Sequence, residues 1–371
     1  HLIFIVKIKL IMKVCIIGYS LTSLALAKAL VNKDIFVDVI CSKKFKRNNQ
    51  TRTLGISRSN IEFFNKYISN INKFLWDIKN IEIYTENLKK DKIIKFAEKK
   101  HKLFSILENQ KLFDQLKSEL EKNKFFNYKF KYKYNDIINY KYNLIINCDF
   151  NHEITKKFFF KKFEKDYDST AITTILEHKK VSLNNTATQI FTNTGPLAFL
   201  PISNVKTSIV YSFRNEKCFK ETNIISLIKK FNPKYKIKKI NNLSKFSLKS
   251  FNLRKYYKNN ILAFGDLLHK IHPHAGQGFN MTIRDIKDLM KIIDNKIELG
   301  LPIDSNVCTI FQNKTKSRNY IFSYGIDLIY EFFNFESKVQ SGLLSSTVKF
   351  FAKSKTITKY FQKFADIGLR A

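Results

Sequence analysis

Between Ile261 and Leu289 the chain reads ILAFGDLLHKIHPHAGQGFNMTIRDIKDL, and this stretch holds its densest set of chemically useful residues. The apolar run Ile261 to Phe264 has the character of a buried strand and ends at Gly265-Asp266, which puts a carboxylate at the carboxyl edge of a sheet. A loop with His269, His272 and Pro273 follows. Gly276-Gln277-Gly278 then opens an amphipathic helix with Ile283, Ile286, Leu289 and Ile293 on one face. Glycines at a helix start let backbone N–H groups approach a ligand closely, at the positive end of the helix dipole. Pro273 stiffens the loop between the carboxylate and the glycines. The segment suits a large polar ligand held along its length.

Other elements must position these groups. Lys13 to Ile17, KVCII, is a short β-run that meets Gly18, followed by a helical pattern to Leu30 and a second strand over Asp34 to Cys41. Such a βαβ unit carries the dinucleotide fingerprint GxGxxG when it binds a nucleotide. Here the fingerprint is Gly18-Tyr19-Ser20-Leu21-Thr22-Ser23. The first glycine is kept, and Ser20 and Ser23 stand in the other two places. Small serine permits close approach less freely than glycine. The ribose-binding acid expected at the end of the second strand falls on Cys41, which cannot replace it. Taken alone, the segment reads equally as a plain βαβ packing turn. Asn143 to Asp149, NLIINCD, is another buried strand that ends in an acid, and residues 169–215 read as successive β-strands around Gly195 to Ile202, GPLAFLPI.

Composition narrows the choices. The 371 residues suit one or two intimately packed domains, and 44% hydrophobic content is enough for a globular interior. The formal net charge of +35 suggests nucleic acid. Arginine, however, appears only eight times among 66 basic residues, and the lysines are spread over the whole chain. A solvated lysine surface with some attraction to anionic lipid fits this distribution, and a nucleic-acid partner does not. Scarce arginines mark places that need a planar bidentate donor, with Arg52 and Arg284 foremost. The five cysteines lie far apart without CxxC spacing, which fits buried thiols in a reducing compartment and predicts no metal site. No run of about 18 uncharged apolar residues occurs, so no spanning helix is predicted. Residues 1–11 read as an extraneous apolar leader ahead of Met12-Lys13.

Pro273 to Asp285, PHAGQGFNMTIRD, resembles the signature of the ubiquinone-biosynthesis hydroxylases, a branch of the FAD-dependent aromatic monooxygenases related to para-hydroxybenzoate hydroxylase. The branch carries GDAAH, then HP, then GQGxNxGxxD. Gly265, Asp266, His269, His272, Pro273, Gly276, Gln277, Gly278, Asn280 and Asp285 fall on it in register, and Thr282 stands where the branch has glycine. Gln50 to Ser59, QTRTLGISRS, is similar to the family's RxxALSxxS segment, with Arg52 in the place of the arginine that reaches the FAD diphosphate. Gly195 to Ile202 is similar to the family's GPLALLPL strand, and Arg318 falls on its aromatic–Arg helix. At the second flavin motif, ADGxxSxxR, only Asp149 survives, with Phe150, Glu153 and Lys156 in place of the Gly, Ser and Arg.

The resemblance implies an α/β fold: a discontinuous Rossmann-like FAD-binding domain over 12–65, 100–165 and 255–320, a mixed β-sheet substrate domain over 66–99 and 166–254, and C-terminal helices over 321–371. It implies FAD bound by Gly18, Ser20, Ser23, Arg52, Asp149, Gly265, Asp266, Gly276, Gln277, Gly278 and Asn280. Pro273 shapes the wall by the reactive edge. His272 and His269 are either catalytic or structural loop histidines. The implied reaction is hydroxylation of a polyprenylated phenol through a flavin C4a-hydroperoxide, with O2 and with NAD(P)H or a separate reductase as electron donor. Loss of the second motif favours the reductase. The implied location is the cytoplasm, peripheral on the inner face of the cytoplasmic membrane, beside other ubiquinone-biosynthesis proteins. The alternatives are a catalytically weakened relative that binds lipid or a partner protein, and a flavoprotein acting on another isoprenoid lipid.

Overall fold

Apolar β-branched runs form the centre of the molecule. The computed structural model describes residues 12–41, 52–86, 92–97, 102–130, 133–214, 221–271 and 277–339. In chain order the elements are β1 (Lys13–Ile17), α1 (Leu21–Val31), β2 (Phe36–Cys41), β3 (Thr53–Ser57), α2 (Arg58–Tyr67), β4 (Trp76–Ile78), β5 (Asn80–Thr85), β6 (Lys92–Ala97) and β7 (Phe104–Glu108). Next come α3 (Asn109–Glu121), β8 (Phe126–Phe130), α4 (Tyr134–Asn139), β9 (Leu144–Asn147) and α5 (Glu153–Phe158). The long β10 (Lys162–His178) leads into β11 (Thr186–Thr192), β12 (Gly195–Pro201), β13 (Lys206–Arg214), α6 (Glu221–Phe231), β14 (Ile237–Ile240) and β15 (Ser244–Leu253). The chain returns through β16 (Tyr257–Lys258), β17 (Ile261–Ala263) and β18 (His269–Lys270) to α7 (Gln277–Glu298) and α8 (Ser305–Val339).

Six strands make a sheet in the order β16-β17-β9-β1-β2-β8. Its pairs are parallel except for the edge hairpin β16–β17. Helix α1 packs on it, and β1, β9 and β17 are buried and apolar on both faces. One charge is buried inside this sheet. Burial alone would favour the neutral form of Asp38 on β2. The Tyr142 hydroxyl at 2.7 Å and the ammonium groups of Lys129 at 3.0 Å and Lys13 at 3.2 Å outweigh that, and hold its carboxyl below the usual range.

The second sheet runs β18-β15-β10-β13-β12-β11-β5-β6, with β14 added on β10. Strand alternation gives it two unlike faces. Ile172, Leu197, Phe199, Ile209, Tyr211 and Phe213 pack against α6. The register puts Ala171, Thr173, Ala198, Val210 and Ser212 on the opposite face. That face meets β3, the edge strand of a small third sheet in the order β3-β7-β4. The Thr53 hydroxyl donates to Ser208 Oγ at 2.9 Å.

Between β17 and β18 the chain passes from the parallel sheet to the second sheet, through a 3-10 turn at Gly265–Leu267. The expected domain boundary near residue 320 falls within α8, which runs unbroken from Ser305 to Val339. Among the described residues no helix is long and apolar enough to cross a membrane.

Candidate functional site

The carboxyl ends of β1, β9 and β17 lie side by side, and three turns leave them toward the same corner. Gly18 ends β1 with φ +105°, and its N–H donates to the Ile40 carbonyl at 2.9 Å. A Cβ there would stand 3.2 Å from Asp149 Cβ, so Gly18 and Asp149 are in direct contact. Ser20 is the N-cap of α1. Its hydroxyl oxygen accepts the Ser23 N–H at 3.2 Å and lies 3.0 Å from Ser23 Oγ. The two serines therefore satisfy each other. Ser20 stays exposed at the positive end of the helix and Ser23 is buried beneath it.

Gly265 is required on two counts. Its φ is +65°, and a Cβ would come within 2.6 Å of Thr22 Cγ2 on α1. This contact brings Asp266, which is exposed, to the start of α1. Asp266 and Asp149 both act on Cys148. Burial first, then these two carboxylates, push its thiol up to about 12, against a hydrogen bond from Ser23. One corner thus gathers Gly18, Ser20, Ser23, Asp149, Gly265 and Asp266.

The start of α7 adds a third side. Gln277 is 7% exposed, and its Oε1 has no hydrogen-bond partner among the described residues. Gly278 has nothing within 4 Å of where a Cβ would be. Asn280, expected among the cofactor-binding residues, is buried and serves protein groups instead. Its amide donates to the Gly55 carbonyl at 2.9 Å, and its Oδ1 accepts from Ser57 N at 3.0 Å and Asn60 Nδ2 at 2.8 Å. It braces α7 against β3 and α2. His272, Pro273 and Gly276 lie outside the described residues.

Arg52 sits apart from the corner, exposed at the start of β3, with its guanidinium 4.9 Å over the Phe246 ring of β15. Asp149 turns one carboxylate oxygen onto the Asn151 N–H at 2.8 Å, and its carbonyl accepts the Thr155 hydroxyl at 2.5 Å. These bonds, with His152 capping α5, build a local turn from the residues that replace the second flavin motif. Phe150 is exposed there, edge-on to Phe251 at 5.6 Å.

Behind the corner lies a buried charge hub. Asp285 on α7 has no exposed side chain. His269 Nε2–H donates to its Oδ2 at 2.5 Å, and Asn319 Nδ2 donates to its Oδ1 at 3.0 Å. Arg318 stands 3.6 Å from Asp285 and 2.7 Å from Asp288. The structure thus gives His269 a bracing role, with Arg318 and Asn319 from α8 completing the brace. Arg284 lies over the Phe322 ring at 4.4 Å. Sequence reasoning missed Asn60, Thr22 and Asn319 as parts of this framework, because each acts through a partner distant in the chain.

Comparison with known proteins agrees with this architecture. The family described as FAD binding domain matches residues 147–298. The mitochondrial ubiquinone biosynthesis monooxygenase COQ6 of Dictyostelium discoideum is 34% identical over 80 residues, 21% of this chain and 16% of that protein. The 3-demethoxyubiquinol 3-hydroxylase of Escherichia coli is 29% identical over 154 residues, 39% of each. The chain thus spans well under half the length of these curated relatives. Among solved structures, p-nitrophenol 4-monooxygenase PnpA from Pseudomonas putida superposes with a TM-score of 0.73 at 11% identity, covering 97% of this chain and 99% of that one. Klebsiella pneumoniae HpxO in complex with FAD and uric acid gives 0.72 at 9% identity, with 96% of each covered. The chain thus has the fold of FAD-dependent monooxygenases, and its segment 147–298 matches an FAD binding domain. Over these partial lengths it is similar in sequence to enzymes of ubiquinone biosynthesis.

Removing the hub's carboxylate leaves the buried His269 and Asn319 without their partner, and Arg318 with Asp288 alone. Asp285→Ala is expected to lower the unfolding free energy by roughly 3–5 kcal/mol. A urea midpoint equal to that of the parent protein would show that Asp285 does not hold these elements together.

Proposed function

We propose that the chain is an FAD-dependent monooxygenase that hydroxylates the aromatic ring of a polyprenylated phenol in ubiquinone biosynthesis. The observation that carries the reading is the meeting of Gly18, Asp149, Gly265 and Asp266 around the start of α1, at the carboxyl ends of three parallel strands. The residues fit the cofactor. Gly18 and Gly265 leave no bulk over the strand ends, Gly278 is open, and Gln277 holds a buried polar atom without a described partner.

When bound, FAD would carry two electrons from an external reductant and supply the activation of O2. The chain's own residues do the rest. The positive end of α1 would suit the diphosphate, and Asp266 would hold the hydroxyl-bearing chain of the cofactor. Backbone N–H groups at the start of α7, which the Asn280 and Asp285 braces fix, would stabilise negative charge on the reduced ring. Ala171, Thr173, Ala198 and Val210 give the second sheet a small-residue face suited to a flat aromatic substrate, with no titratable group. An apolar wall also excludes water, which protects a reactive oxygen species from hydrolysis.

The purified full chain is expected to carry flavin absorbance, and Asp266→Ala to weaken FAD binding about tenfold or more with the fold retained, as for a lost charged hydrogen bond. Full flavin occupancy of the variant at limiting FAD would reject the site.

Phe150, exposed where the family has glycine, supports reduction by a separate reductase in preference to direct hydride transfer from NAD(P)H. Stopped-flow mixing with NADPH is expected to bleach the flavin too slowly for turnover. A rate that matches product formation would overturn this.

A membrane-surface location has its own support. On α8 Tyr320, Ile321, Tyr324 and Leu328 form an exposed stripe beside Phe163, whose ring is 5.7 Å from Tyr320. Arg254 lies over Phe163, and Lys161, Lys162 and Lys165 are close in sequence. Basic residues near an anionic surface contribute about 1 kcal/mol each, and apolar side chains add a salt-insensitive share. The full chain is expected to float with anionic liposomes, and the triple variant Ile321→Ser, Tyr324→Ser, Leu328→Ser to remain in the pellet fraction. Equal flotation of the two would rule out this face.

A further inference from the structure

In a dinucleotide site of this topology an acid at the end of the second strand hydrogen-bonds the ribose. Here β2 ends in the buried thiol Cys41. Around it the structure gathers aromatic rings and phenols. Phe130, at the end of β8, pairs in register with Cys41 and is 52% exposed. Tyr128 stacks with Phe130 at 6.4 Å and meets Phe126 edge-on at 4.7 Å, so one face of β8 carries a ladder of rings up to the sheet's carboxyl edge.

Tyr19, the residue after Gly18, joins this ladder. It meets Tyr128 edge-on at 5.2 Å and Phe113 at 5.4 Å. The Tyr128 hydroxyl donates to the Tyr19 hydroxyl oxygen at 2.8 Å. Tyr19 is half-buried, and Ser20 beside it is exposed at the start of α1. Burial raises both phenols above their ordinary range, so they act as neutral hydroxyls.

We propose that this chain recognises the adenosine end of its dinucleotide with an aromatic and phenolic wall, the base against Phe130 and the ribose hydroxyls at the Tyr19–Tyr128 pair, in place of a carboxylate. The inference rests on the FAD reading above and deepens it. A neutral hydroxyl bonds a ribose more weakly than a carboxylate does, so stacking carries a larger share of the adenosine affinity.

The test compares FAD with FMN, which lacks adenosine, by flavin fluorescence titration of the full chain. Phe130→Ala is expected to weaken FAD about tenfold, as for loss of a stacked base. Tyr19→Phe keeps the ring and is expected to weaken FAD about fivefold, as for one neutral hydrogen bond. Neither is expected to change the weaker affinity for FMN, and both are expected to keep the parent circular dichroism spectrum. Unaltered FAD affinity in both variants overturns the proposal, and so does an equal fall for FAD and FMN, which marks a packing role. If the parent protein binds no FAD, the cofactor reading itself fails and this proposal goes with it. The parent titration alone separates that outcome from the others.

Discussion

A carboxylate shut away from water must be paired, and much of this molecule is arranged around pairing Asp285. Its two oxygens are taken by His269 and Asn319, with Arg318 beside them. These partners come from β18 and α8, and Asp285 itself from α7. One buried charge therefore ties together three elements, alongside the apolar packing of Met281 with Phe322 and Ile326 and the Arg318–Asp288 ion pair. Five residues earlier on α7, Asn280 does the same with neutral groups, binding Gly55, Ser57 and Asn60. The start of α7 is held from both sides, and a helix terminus aimed at a ligand is useful only when its direction is fixed.

The site is a seam. The parallel sheet supplies the strand ends and the start of α1, and the second sheet supplies a broad face of small residues. The chain crosses between them within the few residues from Ala263 to His269, and Gly265 is pressed on Thr22 in the crossing. Bulk at this point would push the second sheet away from α1. The opposite choice appears on the far side of the second sheet, where Phe199, Tyr211 and Phe213 fill the space under α6. Large residues fill one face, and small residues line the other.

The sequence made the framework readable where the signal is local. Strand runs ending in Gly18, Asp149 and Gly265-Asp266 mark the ends of three adjacent parallel strands, since buried parallel strands are continuous apolar runs. The same local pattern could not tell which polar residues face a ligand. Asn280 stands in a ligand-binding motif, yet its amide is spent on α2 and β3. Arg52 stands in the place of a diphosphate-binding arginine, yet lies over Phe246. Ser20 and Ser23 look like worn glycines and prove to be a cap and its partner. The Tyr19–Tyr128 contact joins residues 109 apart, and no periodicity reports a pair of that kind.

The strand order also bears on how the chain is made. β1 lies between β2, which follows it directly, and β9, which is far downstream; the bond from Lys13 N to Asn143 Oδ1 spans 130 residues. β17, next to β9, comes later still. During synthesis from the amino terminus, the first βαβ unit emerges with one edge of its central strand unsatisfied, and it stays so while β3 to β8 are made. Unpaired apolar edges of this kind are sticky. The abundant lysine on the surrounding surface then has a use apart from any ligand: like charges keep nascent chains from pairing with one another until the proper neighbour arrives.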